Sequence, residues 1–318
     1  MSTSRLDHAH NPGTGQRLLA ATLRQTMRLL MKPVFHPRVP VSVLRPGLTA
    51  LASVSRPAAG VERTAQALGG VSAERHDPST GPGSRAILYF HGGAYCVGSP
   101  RTHRGLASHL AAASDATVWV PDYALAPEAP FPAALDDAVA CYRDLVDKGH
   151  APADISIAGD SAGGGLALAL AMRLRDDGEP MPSRMMLISP WADLTNAGQH
   201  AATQVRGEVM LSWGQLEKSA DLYAHERQQE PYVSPLLGDL HGLPPCLIVV
   251  GTREILLSDS ERLLDAFETA GAEAHLVVYE GLWHVFPAHA GMLDSADDAI
   301  ARLAAFSRGQ HFPPEAAD

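Results

Sequence analysis

A serine with reactive potential stands in the turn Gly159-Asp160-Ser161-Ala162-Gly163, between a short apolar run and a long one. The pattern G-x-S-x-G at a strand-to-helix turn pushes a nucleophilic hydroxyl out of the backbone, because small neighbours permit the sharp bend. The following amide, at Ala162, then lies near the positive end of the helix and faces the reaction centre. Phosphate binding is the other common use of such a turn. Here no G-x-G-x-x-G is present and no lysine follows the glycines, so that use fails on detail. A plainer reading makes Ser161 only a helix cap. The choice needs partners.

The first partner is YFHGGAYCVGS, residues 89–99, at the end of an earlier apolar run. Two successive glycines can turn their amides toward one point, so Gly92, Gly93 and Ala162 are the expected donors of an oxyanion hole. His91 precedes the glycines and is expected to anchor that loop by hydrogen bonds. The second partner is a histidine. Of fifteen, His284 in YEGLWHVF follows the last apolar strand near the C-terminus, which fits the chain order serine, acid, histidine. His289 and the others lack H-E-x-x-H spacing, so no metal is expected. The acid has two candidates after PCLIVV, Glu254 and Asp259. Ser258 and Glu261 read as a capping box, which gives Asp259 a structural place in a first helical turn. Glu254, nearer the strand end, is therefore favoured, with Asp259 as the alternative.

Elements that could hold these residues alternate along the chain. Apolar runs occur at 85–93, 116–123, 154–161, 184–190, 245–251 and 274–281, with helical spacing near 103–114, 132–148, 162–177, 258–271 and 293–307. Strands that read as continuous apolar runs are buried on both faces, so an α/β fold with a mostly parallel sheet between helices is expected. Residues 1–16 read as disordered. Arg17 to Met31 reads as a helix stopped by Pro33, with one more short helix near 48–54. Residues 1–60 are thus expected to supply helices of a cap, together with an insertion at 193–235. The catalytic domain is expected over 61–192 and 236–318.

The chain has 318 residues, 46% hydrophobic and 19% charged, with a formal charge of -10. That balance argues against a nucleic-acid partner. Three scattered cysteines make neither a disulfide framework nor a zinc site. The polar N-terminus lacks the apolar core of a signal peptide, and no run reaches the length of a membrane span. A cytoplasmic protein with no membrane partner is expected, as a monomer or a homodimer.

Taken together, HGGAY, GDSAGG, DYALAPEAPFPAALDDA (122–138), SPWADLT (189–195), SPLLGDLHGLPP (234–245) and HVFP (284–287) resemble the hormone-sensitive-lipase family of α/β-hydrolase esterases. The resemblance covers about residues 60 to 306. It implies an α/β-hydrolase fold with a helical cap, a small-molecule ester as substrate, and no cofactor. It departs at two places. Ala94 stands where the family has a third glycine, and Glu254-Ile255-Leu256 stands where the family has aspartate-proline-leucine, which places the acid at Glu254. The implied chemistry is ester hydrolysis through an acyl-enzyme on Ser161, with Tyr95 expected to shape the substrate pocket and Asp160 and Glu128 to act structurally. A lactonase or amidase would use the same triad, and a ligand-binding protein on this fold is the non-catalytic competitor.

Overall fold

The computed structural model describes residues 3–8, 13–52, 56–198 and 207–310. Nine strands form one sheet: β1 (Thr3–His8), β2 (Glu62–Leu68), β3 (Val71–Asp77), β4 (Ala86–Phe90), β5 (Thr117–Pro121), β6 (Ile155–Asp160), β7 (Arg184–Ile188), β8 (Cys246–Gly251) and β9 (Ala274–Tyr279). Their order is β1-β9-β8-β7-β6-β4-β5-β3-β2. From β1 to β5 every neighbouring pair is parallel, whereas β3 pairs antiparallel with both β5 and β2.

The continuous apolar runs follow from burial on both faces. Along β4, Ala86, Leu88 and Phe90 join one core, and Ile87 and Tyr89 join the other. Helices α4 (Ala133–Asp147), α5 (Ala162–Asp176) and α7 (Leu257–Thr269) cover the first core. Helices α3 (Arg104–Ser114) and α8 (Asp294–Ser307) cover the second. Neither face of the central strands meets water, so no polar alternation is needed.

The edges of the sheet depart from expectation. Residues 3–8 are not disordered: β1 pairs in parallel with β9, so the region before residue 60 is not purely helical. Leu6 packs against the core and His8 lies edge-on to Tyr279 at 4.9 Å, whereas Arg5 holds Glu261 at 2.8 Å. A polar edge strand whose partner lies some 270 residues away leaves no local signal. The β2–β3 hairpin is the second omission. Its residues are mostly polar, yet Gly69 and Gly70 between the strands, both at positive φ (59° and 82°), carry the signature of a two-residue hairpin turn.

Before the sheet's centre come α1 (Thr14–Val34) and α2 (Val41–Ala52). Pro33 sits inside the last turn of α1 instead of stopping it. Helix α2 begins earlier than expected and runs through Pro46; proline has no N–H to give the Ser42 carbonyl one turn back, and Ser42 is an exposed residue. The expected helix end at 53–54 lies outside the described residues, as do 199–206 of the insertion. What is described of that insertion carries α6 (Trp213–Ala224), whose Lys218 donates to the carbonyls of Pro37 (2.8 Å) and Val39 (3.1 Å) between α1 and α2. Arg45 of α2 grips Glu128 with two bonds of 3.0 and 2.6 Å and also donates to the Cys96 carbonyl.

Candidate active site

Ser161 joins β6 to α5 with φ 53° and ψ −123°, a conformation that L-residues rarely adopt. Its amide donates to Ile188 O (2.9 Å), while its carbonyl accepts from Trp191 N (2.9 Å) and Gly164 N (3.0 Å). These bonds hold strain on the order of 1–3 kcal/mol. The motif glycines are sterically required. A Cβ at Gly159 would lie 2.2 Å from Gly163 O, and one at Gly163 would lie 2.0 Å from Phe90 O. The Ser161 hydroxyl makes no capping bond to α5, which removes the helix-cap reading.

The glycine loop differs in detail from expectation. The Gly92 amide donates to the Asp160 carboxylate at 2.9 Å, so it is turned away from any substrate oxygen. Asp160 also accepts from Tyr89 (2.7 Å) and lies 3.3 Å from His103 Nε2. With Gly92 committed to that carboxylate, the amides left to face the site are the next two, of Gly93 and Ala94. Neither is engaged by a hydrogen bond among the described residues, and both residues line the cavity beside Ser161. Gly93 has φ 130°, and a Cβ there would lie 2.0 Å from Val97 O. Ala94 takes φ 51°, a left-handed conformation glycine would adopt more easily. His91 is fully buried, stacked on Tyr123 (4.3 Å), with Nδ1 2.9 Å from Gly92 O; burial pushes its pKa down to about 3. It anchors the loop and does not reach the cavity.

Glu254 and His284 meet at the C-terminal ends of β8 and β9. His284 Nδ1 is 2.8 Å from Glu254 Oε2, and both side chains are buried. Glu254 Oε1 accepts from Ser189 Oγ and Gly251 N, each at 2.8 Å, so both carboxylate oxygens are engaged. Ser189 in turn accepts from Val285 N (3.2 Å), and Arg253 N donates to Leu282 O (2.8 Å), which ties the acid loop to the histidine loop. Burial alone would lower the His284 pKa. The bond to Glu254 and its charge, with the charges of Glu208 and Asp160, more than offset burial and raise it.

Asp259 lies apart from this pair. Its Oδ2 accepts from Ala192 N (3.0 Å) and Asp193 N (3.1 Å), pinning the loop after β7. The capping box is not formed: α7 starts at Leu257, and the Ser258 hydroxyl is buried without a partner among the described residues. Asp259 is structural, but as a buried acceptor and not as an exposed helix-end charge. Burial pushes its pKa up to about 7, its two amide bonds notwithstanding.

Ser161 and His284 share the wall of a cavity of about 260 Å³. Opposite them stand Leu23, Met27, Leu30 and Met31 of α1, Leu48 of α2, and Met210, Leu211 and Gln215 from the insertion. Tyr95 is not on this wall. Its left-handed backbone (φ 59°) turns the ring into the core, stacked on Tyr223 at 3.9 Å and 6°. Sequence reasoning missed Glu208, a buried carboxylate that accepts from Met210 N (2.6 Å), Leu211 N (3.0 Å) and Ile255 N (3.2 Å). It couples two cavity-wall residues to the acid loop, and burial raises its pKa. Nothing in GEVML signals that role; only the fold brings Ile255 to it.

Comparison with known proteins agrees with this architecture. The profile of the α/β-hydrolase fold family matches residues 87–288. An acetyl-hydrolase of Streptomyces hygroscopicus is 42% identical over 225 residues, 70% of this chain and 75% of that one. An esterase of Acinetobacter venetianus is 36% identical over 294 residues, covering 92% and 94%. The crystal structure of an esterase from the bacterial hormone-sensitive lipase family superposes with a TM-score of 0.85 at 35% identity, over 95% of this chain and 99% of that one. In sequence and in shape the chain is thus similar to enzymes that cleave esters, and it belongs to the hormone-sensitive-lipase family of α/β-hydrolases as a carboxylic-ester hydrolase.

Proposed function

We propose that Ser161, His284 and Glu254 form the catalytic triad, and that the amides of Gly93, Ala94 and Ala162 hold the oxyanion. The observation that carries this reading is the buried 2.8 Å contact between His284 and Glu254, on the cavity wall that also bears the strained Ser161. His284 Nε2 takes the Ser161 proton as Oγ attacks the ester carbonyl. The carbonyl oxygen gains negative charge, which the three amides stabilise. Collapse breaks the bond to the alkoxide, which leaves with the proton from His284. Water then attacks the acyl-serine by the same route, releasing the acid and restoring the hydroxyl. Glu254 holds the imidazole with Nδ1–H toward itself and stabilises the imidazolium.

The substrates proposed are esters of short to medium acyl chains. At about 260 Å³ the cavity is smaller than the ~300–1,000 Å³ of sites for drug-sized ligands. Helices α1 and α2 with the segment around α6 act as its cap, since their apolar side chains form the far wall. The test is a p-nitrophenyl ester series. Activity is expected to peak at short chains, and Ser161→Ala to lower kcat by about 10⁴-fold or more without loss of folding. A maximum at long chains would overturn the substrate reading, and a Ser161→Ala rate within ten-fold of wild type the nucleophile.

A further inference from the structure

Charge is distributed very unevenly along this chain. Residues 8–61 hold seven of its 25 Lys and Arg and none of its 35 Asp and Glu. The rest is acidic. Four of the seven, Arg17, Arg24, Arg28 and Lys32, belong to α1, which has no acidic residue at all.

The outer face of α1 is also apolar at two places. Leu18 is 70% and Leu29 65% exposed, the most exposed large hydrophobic side chains among the described residues. Eleven residues apart, they lie three turns along one line of the helix. Arg28 and Lys32 flank that line within about a quarter turn, and among the described residues no carboxylate pairs with either. Arg24 lies on the same flank; burial first and the like charge of Arg253 second lower its pKa. On the inner side of the same helix, Leu23, Met27 and Met31 line the cavity, and Leu30 belongs to both surfaces, 47% exposed and on the cavity wall.

We propose that α1 docks in the plane of an anionic lipid surface, with Leu18 and Leu29 entering the acyl boundary and Arg28 and Lys32 meeting the lipid headgroups. Two leucines three turns apart bury far less area than the ~800 Å² per partner of a stable protein interface. A fluid lipid layer accepts isolated apolar side chains, and cations beside them reach the headgroups on flexible stems. Charge complementarity selects anionic lipid, because the acidic remainder of the chain would be repelled and α1 would lead the approach. Docking this way brings the cavity rim at Leu30 to the surface from which an ester would arrive. No helix among the described residues is long and apolar enough to cross a membrane. Contact in the plane needs no crossing.

The test is sedimentation of the full chain with vesicles of phosphatidylcholine alone or of phosphatidylcholine with phosphatidylserine. Binding needs no active serine, so this outcome is independent of the triad. Wild type is expected to sediment with the anionic vesicles only and to be released by high salt. The double variants Leu18→Ser/Leu29→Ser and Arg28→Glu/Lys32→Glu are each expected to weaken that binding about ten-fold or more, with unchanged hydrolysis of a soluble ester when vesicles are absent. The proposal is overturned if wild type ignores anionic vesicles, or if both double variants bind as wild type does. It is equally overturned if the leucine variant instead dissolves a dimer in solution, which would assign this face to a second copy of the chain.

Discussion

Glu254 uses both carboxylate oxygens, one on His284 and one shared by Ser189 and Gly251, and this separates it from Asp259. Glu254→Gln removes the charge that raises the His284 pKa, so the acid limb of kcat/KM is expected to move to lower pH. Its plateau is expected to fall about 10³–10⁴-fold as the imidazole loses its oriented partner. An unmoved limb with an undiminished plateau would contradict the role of Glu254. Asp259 makes a different prediction. A carboxyl held near pH 7 in the fold keeps a proton that the unfolded chain loses near its ordinary pKa of about 4. Stability contributed by Asp259 is therefore present at low pH and falls as pH climbs from about 4 to about 7. Asparagine keeps an oxygen for the Ala192 and Asp193 amides but has no proton to lose. The Tm of Asp259→Asn relative to wild type is expected to rise across that window, with hydrolysis little changed. A flat difference in Tm, or a collapse in rate, would count against this account. Ser161, His284 and Glu254 were legible in sequence because each sits at the end of an apolar strand, in a local pattern. The fold sets Glu254, and not Asp259, beside His284, although the capping box expected at Ser258 does not form.

At the scale of elements, backbone direction decides what a residue type cannot. Gly92 and Gly93 look equivalent in HGGAY, yet the Gly92 amide is bonded to Asp160 while that of Gly93, a cavity-lining residue, has no hydrogen bond among the described residues. That difference depends on a carboxylate 68 residues away, which no local pattern contains. Tyr95 was misplaced for the same reason: its backbone points the ring at Tyr223, on a helix 128 residues along the chain. Gly93→Ala is expected to lower kcat by about 10²–10³-fold, because its Cβ would lie 2.0 Å from Val97 O and would shift the oxyanion loop. Ala94→Gly, by contrast, relieves a left-handed backbone and is expected to keep activity within a few-fold. Steady-state kinetics on the two variants check both outcomes. Equal damage from the two would mean that the loop's contribution is not made through these amides.

Across the whole molecule, the parallel centre of the sheet was readable from six apolar runs, while its edges were not. β1 and β2 are mostly exposed and gain order chiefly from strand partners, and β3 buries Ala73, His76 and Asp77 without a continuous apolar run. A related contrast separates the candidate site residues from the helices around the cavity. Ser161, His284 and Glu254 follow strands buried between two cores, whereas α1, α2 and α6 reach the first core through a few side chains such as Met31, Leu44 and Leu216 and are tied together by bonds such as Lys218 to Pro37.

The central claim is that Ser161 is the acylated residue, and covalent labelling tests it most directly. Full-length protein treated with a p-nitrophenyl phosphonate, then measured by intact mass and peptide mapping, should carry one adduct, on Ser161. Activity loss should track labelling in proportion, and Ser161→Ala should take up none. An adduct on another residue, or full labelling of wild type with activity retained, would contradict the account.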